Sequence, residues 1–339
     1  MDLDRRAVVS GLSAALIASR ATLAASVTDS AGRAVAVPAR VTRVFPAGPP
    51  AAITLYTMAP DLLIGWPRAN RAEEREFLDP TVGARPEVGR ITGRGNTANL
   101  EVVLALKPDL ILDIGIVNNT YISLAERVQQ QTGIPYALLD GRFDGIPNAY
   151  RLIGALTGRH DAGETRARYA EATLKAIAAR IPEPARRPRV YYARGPRGLE
   201  TGLGGSINVE TIEMLARNVA GGTRGGLATV SIEDVLVWNP DVIITIDKEF
   251  AESVYRLPAW QSVAAVRARR VHLSPKLPFG WVDFPPTVNR LIGLWWLGKI
   301  LYPDRFPEDL RAYTRDFYKQ FYHVSLSDPQ IERVLAGRD

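Results

Sequence analysis

Two stretches of the chain carry the same pattern of apolar and polar positions. Residues 99–113 read NLEVVLALKPDLILD, and residues 231–247 read SIEDVLVWNPDVIITID. Matching positions are 132 residues apart, so that Pro108 corresponds to Pro240. Each copy predicts a short helix, a turn at Pro-Asp, and an apolar run typical of a parallel strand buried on both faces. The repetition predicts two similar α/β lobes with a ligand site between them.

One long helical pattern separates the two copies. It covers residues 160–182 and ends at prolines, and Tyr169 and Ile177 lie on its apolar side. A helix of about 20 residues spans roughly 30 Å. We therefore predict an α/β fold of two Rossmann-like lobes with central parallel sheets, at residues 26–159 and 183–339. This helix joins the lobes, and a ligand cleft lies between them.

Residues 1–25 have the layout of an export signal. Arg5 and Arg6 are followed by an Ala-rich apolar run and then by small residues, in the manner of a twin-arginine signal. The run is too short to be a permanent membrane anchor. The chain contains no cysteine, so we expect no lipid anchor and a soluble periplasmic protein after signal cleavage. The alternative is a helical or disordered N-terminus of a cytosolic protein.

The composition excludes several classes of function. Hydrophobic residues make up 46% and charged residues 23% of the chain, as in an ordinary globular protein. The net charge is +6, but no long basic run occurs and aromatic residues are not interleaved with arginines. We therefore expect no nucleic-acid partner. The absence of cysteine removes disulfides, thiolate metal sites and cysteine nucleophiles.

The motifs for cofactors and catalysis are weak. Residues 93–98 fit G-x-G-x-x-A, but no strong apolar strand precedes them, which favours a cleft loop over a dinucleotide site. The three histidines are far apart in sequence, and no G-x-S-x-G occurs. Residues 202–206, GLGGS, could offer backbone N–H groups to an anion or form only a tight turn. We predict a binding protein without a cofactor or a resident metal, and an exported α/β enzyme is the alternative.

Arginine and aromatic residues recur on loops that follow predicted strands. In parallel sheets, ligands bind beyond the carboxyl ends of the strands. Guanidinium groups suit carboxylates, catecholates and oxyanions, whereas aromatic faces suit a flat organic chelate. The wider set is Arg94, Asn118, Tyr121, Arg142, Phe143, Tyr192, Arg194, Phe279, Trp281 and Arg290. The predicted ligand-binding residues are Arg94, Tyr121, Tyr192, Arg194, Trp281 and Arg290.

Five segments carry a resemblance to a known family. They are RVTRVFPAGPPAAITLY, NLEVVLALKPDLIL, GGSINVETIEMLARNVAGG, SIEDVLVWNPDVIIT and RVHLSP. Over nearly all of the sequence after the signal, the chain resembles the periplasmic substrate-binding proteins of ABC importers for ferric siderophores and vitamin B12. The resemblance implies two lobes with limited hinge motion and docking on a permease through one glutamate per lobe. Glu210 matches the second-lobe glutamate, whereas Ile53 stands at the first-lobe position.

The resemblance leaves the ligand open. We expect a monomeric protein that delivers a ferric siderophore to a permease/ATPase complex in the inner membrane. A molybdate- or tungstate-type oxyanion is the runner-up, and a corrinoid or haem ranks third. Histidine and acidic ligands are too scarce for a bare cation, which favours a preformed metal complex or an oxyanion.

Overall fold

The computed structural model describes residues 23–93, 99–222 and 225–337. The predicted export signal falls mostly in residues 1–22, outside the described residues, so it stays a prediction. Among the residues that are described, no helix combines the length and apolar character needed to cross a membrane.

The first lobe is built on a three-stranded parallel sheet. Its elements are β1 Leu23–Thr28, β2 Ala34–Pro38, β3 Val44–Pro46, α1 Pro49–Tyr56, α2 Ala72–Arg75, α3 Pro80–Gly83, α4 Leu100–Ala105, β4 Leu110–Gly115, α5 Asn119–Thr132, β5 Tyr136–Asp140 and α6 Ile146–Thr157. Strands β1 and β2 form an antiparallel hairpin, and the parallel sheet has the order β3–β4–β5. The central strand β4 is buried along nearly its whole length. This burial explains its uninterrupted apolar sequence.

A long helix leads out of the first lobe. This helix, α7, covers His160–Ala178 and has 19 residues. It packs against α6 and buries small or apolar side chains, among them Ala167, Ala170 and Ile177. At 1.5 Å per residue it spans roughly 28 Å. The predicted helical connection between the lobes is confirmed.

The second lobe repeats the architecture. Its elements are β6 Arg189–Ala193, β7 Glu200–Gly202, α8 Glu210–Leu215, β8 Arg217–Asn218, β9 Leu227–Thr229, α9 Ile232–Trp238, β10 Val242–Thr245, α10 Lys248–Ser253, α11 Ala264–Arg267, β11 Val271–Leu273, α12 Arg290–Leu301, α13 Leu310–Phe317 and α14 Asp328–Leu335. The parallel sheet has the order β11–β10–β6–β8, and β7 pairs with β9 in a separate antiparallel pair. The predicted two-lobe α/β fold is confirmed.

The two sequence repeats make matching turns at the starts of β4 and β10. In the first turn, Asp109 Oδ2 accepts the backbone N–H of Arg43 at 2.9 Å, and the Asp109 N–H donates to Arg43 O at 2.8 Å. In the second, Asp241 Oδ2 accepts the N–H of Arg189 at 2.8 Å, and the Asp241 N–H donates to Arg189 O at 2.9 Å. Each aspartate thus joins its own strand to the neighbouring strand of the sheet.

The closing segment of the chain returns to the first lobe. Tyr56 donates a hydrogen bond to the backbone carbonyl of Tyr322 at 2.7 Å, and Arg333 pairs with Glu76 at 2.6 Å. In sequence this segment falls within the predicted second lobe, residues 183–339, and that boundary stays a prediction. Buried side chains of both lobes and of α12 also belong to one continuous core. The lobes are therefore joined by packing as well as by α7.

Candidate ligand-binding cleft

Loops that follow strands of the two lobes meet along one cleft. Arg142, in the loop after β5, reaches the second lobe with Nη2 3.4 Å from the carbonyl oxygen of Gly205. Gly141, next to it, accepts a hydrogen bond from Arg290. The carboxyl edge of the first parallel sheet therefore faces the second lobe, which is where ligands bind in folds of this kind.

An inter-lobe tie, made by Arg290 and Glu210, holds the base of this cleft. Arg290 is fully buried, and Nη1 donates to Glu210 Oε2 at 2.5 Å. Its Nη2 donates to the carbonyl of Gly141, and its Nε donates to Thr287 O at 3.0 Å. The other oxygen of Glu210 accepts the backbone N–H of Phe143 at 3.0 Å. The tie therefore bonds both lobes to one buried ion pair.

The same geometry engages Arg290, a predicted ligand-binding residue, inside the protein. Burial lowers the pKa of Arg290, and the Glu210 carboxylate opposes that effect. The guanidinium also lies over the Phe143 ring, 4.7 Å from its centroid. Because its donors are directed at protein acceptors and the side chain has no exposed surface, Arg290 holds the lobes together, and its contact with a ligand stays a prediction. The docking role predicted for Glu210 stays a prediction, although this carboxylate is bonded inside the molecule.

A second buried cluster surrounds Asp283 and accounts for two further predicted residues. Tyr192 donates to Asp283 Oδ2 at 2.9 Å, and Asn208 Nδ2 donates to Oδ1 at 2.8 Å. Arg194 Nε lies 3.4 Å from Oδ2, while its Nη1 bonds Glu200. Burial raises the pKa of Tyr192 far above its usual range, with Asp283 as the next cause, so that the phenol stays a donor.

This cluster engages Tyr192 and Arg194, two of the predicted ligand-binding residues, inside the protein. Tyr192 is fully buried, and Arg194 is 8% exposed with two carboxylates beside it. The carboxylates of Glu200 and Asp283 compensate the charge of the Arg194 guanidinium. The Tyr192 hydroxyl donates its hydrogen bond to Asp283. Both side chains therefore fix the loop after β6, and their contact with a ligand stays a prediction.

The remaining predicted residues have different fates. Trp281 is fully buried in the core, where its backbone carbonyl lies so close to Gly293 of α12 that any larger residue there would clash. Its stacking role stays a prediction, and the ring has no exposed surface in this arrangement. Tyr121 lies half-buried in the first turn of α5, which begins beyond the carboxyl end of β4. Its role stays a prediction, and Arg94 lies outside the described residues.

The glycine-rich loop at residues 202–206 uses its N–H groups internally. Leu203, Gly204 and Ser206 each donate to a backbone carbonyl, at 3.0, 3.2 and 3.0 Å. The N–H of Gly205 donates to both carboxylate oxygens of Glu213, at 3.2 Å each. An anion site of this type needs unpaired N–H donors. Of the two predicted alternatives, an anion site and a tight turn, the loop is therefore a tight turn.

Arg142 differs from the other cleft arginines. It is half-buried, and within the described part of the chain no carboxylate lies within ion-pair distance of its guanidinium. Its backbone N–H donates to Asp140 Oδ1 at 2.9 Å, which fixes the start of the loop. The sequence placed Arg142 in the wider set only. Its uncompensated charge makes it the cation best placed to meet a ligand.

Phe284 is the cleft residue that sequence reasoning missed. It is 65% exposed, whereas every other residue from 274 to 298 is buried or half-buried. Its φ is 70°, a left-handed conformation that a bulky side chain rarely adopts and that costs about 1–3 kcal/mol. The neighbouring Asp283 belongs to the buried cluster. Pro286 and Thr287, on the other side, line a cavity with room for about one water molecule at the carboxyl end of β5.

A buried carboxyl group supports the first-lobe side of the cleft. Asp113 accepts hydrogen bonds from Tyr136 Oη and Thr92 Oγ1, both at 3.0 Å. Burial raises the pKa of Asp113, and the two hydrogen bonds oppose that effect. Thr92 directly precedes Gly93, so Asp113 fixes the chain just before residues 94–98, which lie outside the described residues.

The described residues contain no cluster of side chains that could coordinate a cation directly. No three histidine, aspartate or glutamate side chains there come together in a way that could hold a metal ion. His272, at the edge of the second sheet, is half-buried, and burial lowers its pKa. The polar groups at the cleft instead form ion pairs and hydrogen bonds with one another, and Arg142 takes part through hydrogen bonds to Gly205 and Asp140.

Known proteins share this architecture. The profile of the family described as "Periplasmic binding protein" matches residues 87–277, more than half of the chain. A solved ABC transporter solute binding protein from Sulfurospirillum deleyianum is 28% identical, with a TM-score of 0.82 over 91% of this chain and 98% of that one. A cobalamin-binding protein of Halobacterium salinarum is 27% identical over 224 residues, 64% of this chain and 57% of its own.

The molybdate-binding protein MolA of Haemophilus influenzae is similar in both sequence and structure. It is 28% identical over 260 residues, which are 70% of this chain and 74% of MolA. Its solved structure with bound molybdate has a TM-score of 0.73 at 25% identity, over 90% of this chain and 99% of that one. The relatives are substrate-binding proteins of transporters, not enzymes. The chain belongs to the periplasmic binding protein family, as a substrate-binding protein of an ABC importer.

Proposed function

We propose that the protein captures a small metal oxyanion of the molybdate type between its lobes and delivers it to an ABC permease. The observation that carries the proposal is the direct approach of the lobes at Arg142 and Gly205, 3.4 Å apart. A cleft that narrows to this distance suits a compact ligand. The sequence alone favoured a ferric siderophore, which is larger.

The charges at the cleft also support an oxyanion. Arg194 and Arg290 are each compensated by carboxylates, so they add no net positive charge to the site. Arg142 keeps its charge and presents planar N–H donors that match the geometry of an oxyanion. The similarity to MolA, which is named for molybdate binding, agrees with this ligand class.

A ferric siderophore is the second candidate, and Phe284 is the observation that favours it. An exposed aromatic ring gives a bare oxyanion no hydrogen bond, but it can stack on the organic part of a chelate. The two candidates predict different binding profiles.

The deciding experiment is a thermal-shift and calorimetric titration of the purified protein. The probes are molybdate, tungstate, sulfate, a ferric hydroxamate, a ferric catecholate and cobalamin. A ligand present at 100 times its Kd stabilises the folded state by about 2.7 kcal/mol, which raises Tm. We expect molybdate and tungstate to shift Tm and the chelates to have no effect. A response to the ferric chelates alone would reject the oxyanion in favour of the siderophore.

Arg142→Ala tests the residue behind the proposal. Loss of the guanidinium removes the charge that meets the anion, so we expect molybdate affinity to fall at least about tenfold while Tm of the free protein changes little. Arg127→Ala is the matched control, because Arg127 is an exposed arginine of α5. Equal affinities of the two variants would show that the anion binds elsewhere.

We further propose that the permease docks on the two repeated helices. Glu101 of α4 and Glu233 of α9 are both exposed, at matching positions of the repeat. Beside them, apolar side chains remain uncovered: Val102 at 47%, Leu104 at 44%, Leu236 at 37% and Val237 at 83% exposure. Each helix runs back along the strand that follows it, so each glutamate lies towards the cleft edge of its lobe.

Two acidic and apolar faces related by the repeat fit a partner with two similar halves. An ABC permease, with paired membrane subunits and basic groups opposite the glutamates, is such a partner. The double variant E101Q/E233Q should keep ligand affinity and lose uptake in cells, with Glu126→Gln of α5 as the control. Uptake that instead depends on Glu210, with the ligand still bound, would return the docking role to that residue.

A further inference from the structure

We propose that Phe284 contacts the bound ligand and helps to determine which anion the cleft accepts. The inference rests on the proposed function, since it assigns a specificity role within the same cleft. Single exposed apolar residues are common on protein surfaces and carry no meaning alone. Three further observations, on its position, its backbone and its surroundings, distinguish Phe284.

The position of Phe284 is fixed from both sides. On one side, Asp283 is held by Tyr192 at the end of β6 and by Asn208. On the other side, Pro286 lines the same small cavity as Gly141, which directly follows β5. The residue therefore stands between the carboxyl ends of strands from the two lobes, which is the place where the fold puts its ligand.

The backbone of Phe284 is held in an unfavourable conformation without gain in packing. Its φ of 70° is an outlier for an aromatic residue, and the ring remains 65% exposed. The turn is tight, because a Cβ atom on Gly280 would lie 1.7 Å from the carbonyl oxygen of Asp283. Strain of this kind persists where the surrounding structure enforces it, and it concentrates at ligand sites.

An exposed ring at this place supplies an apolar wall. Such a wall removes water from one side of a bound anion and strengthens the attraction that Arg142 exerts on it. It also opposes anions that hold their water tightly. We therefore infer that Phe284 favours large, weakly hydrated tetrahedral anions such as molybdate and tungstate over sulfate.

The test compares Phe284→Ala and Phe284→Asn with Phe279→Ala. Phe279 is the control, because it belongs to the same loop and is buried against Trp66. We expect both Phe284 variants to keep Tm within about 2 °C of the wild type, whereas F279A loses several degrees. For molybdate, F284A and F284N should bind at least about tenfold more weakly, and their preference for molybdate over sulfate should shrink.

Each outcome decides the inference. A large fall in Tm for F284A and F284N would show that the ring is a packing residue. Unchanged affinity of the Phe284 variants for molybdate would also overturn the proposal. If those variants bind molybdate normally but lose uptake in cells, Phe284 belongs to the surface that contacts the permease. If the wild type binds none of the six probes, the proposed function fails separately. The variants are then compared on the low-molecular-weight fraction of a heat-treated cell extract, where equal thermal shifts overturn the role of Phe284.

Discussion

The two lobes are alike at the amino ends of their parallel strands and differ at the carboxyl ends. At the amino ends, the lobes are nearly identical, with Asp109 bonded to Arg43 in the first and Asp241 bonded to Arg189 in the second. These contacts join neighbouring strands and set the register of each sheet. The starts of the strands are scaffold, which is why one sequence pattern serves both lobes.

At the carboxyl ends, the lobes differ. Asp113 of β4 accepts hydrogen bonds from Tyr136 and Thr92, whereas the matching residue of β10 is Thr245, which accepts the N–H of Asp247. At this matching position, the first lobe therefore has a buried carboxyl group and the second lobe a buried hydroxyl group. The repeat specifies how the strands begin, whereas the residues at the strand ends differ between the lobes.

The largest expected effect lies at the carboxyl ends, where Arg290 and Glu210 tie the lobes. Arg290→Met leaves the Glu210 carboxylate without its cation, so the free energy of unfolding should fall by about 3 kcal/mol in urea titrations. The double variant R290M/E210L should recover part of that loss, because no unpaired charge remains. An R290M variant as stable as the wild type would mean that the tie adds nothing to the lobe contact.

Buried positions of the repeated helices should respond equally in both lobes. Val103 and Val235 occupy matching positions and have no exposed surface. Val→Ala at either should lower the free energy of unfolding by about 2 kcal/mol through lost burial and a cavity. The neighbouring Leu104→Ser and Val237→Ser, at exposed positions, should each change it by less than about 0.5 kcal/mol. If V103A and V235A lowered the free energy of unfolding by clearly different amounts, the two helices would not be equivalent in their packing.

The turn aspartates sharpen the comparison at a smaller scale. Asp109→Ala and Asp241→Ala each remove acceptors for backbone N–H groups, so each should cost about 1 kcal/mol in the same titration. Asp304→Ala, at an exposed aspartate, is the control. If only one of the two turn variants were destabilised, the matching hydrogen bonds would not carry matching energies.

The smallest effect concerns acid stability. Burial lowers the pKa of His272 in the second lobe and of His323, whose Nε2 lies 3.3 Å from Tyr56 O. The unfolded chain takes up these protons near pH 6.5 and the folded chain only at lower pH, so stability falls as the pH drops from 7 towards 5. Tm of the double variant H272Q/H323Q should fall less over that range. Asp113, with its raised pKa, acts in the opposite direction at lower pH.

The scaffold was predictable from the sequence because its signals are local. The Pro-Asp turns, the apolar strands and α7 each follow from residues close together in the chain. The partners of Arg194 and Arg290 were not predictable, because Glu210 lies 80 residues before Arg290 and the two meet only through the packing of α8 against α12. Without that packing, a strand-end arginine cannot be told from a ligand contact.

The aromatic loop shows the same limit at shorter range. Trp281 and Phe284 are three residues apart, and composition favours the larger ring as the stacking residue. The folded loop reverses this expectation, because close contact with α12 takes Trp281 inwards and the left-handed turn carries Phe284 outwards. Side-chain direction in a loop depends on backbone angles that a residue pattern does not encode.

The return of the closing segment to the first lobe has a consequence for the order of folding during synthesis. Tyr56 and Phe77 are covered by Tyr322 and Tyr318, and Tyr322 follows Tyr56 by 266 residues in the chain. Chain synthesis proceeds at about 5–20 residues per second. The segment that covers the first lobe is therefore made many seconds after the lobe itself. Its sheet can form early, but its surface is completed only after the second-lobe strands have been made. The first lobe therefore does not mature before the second.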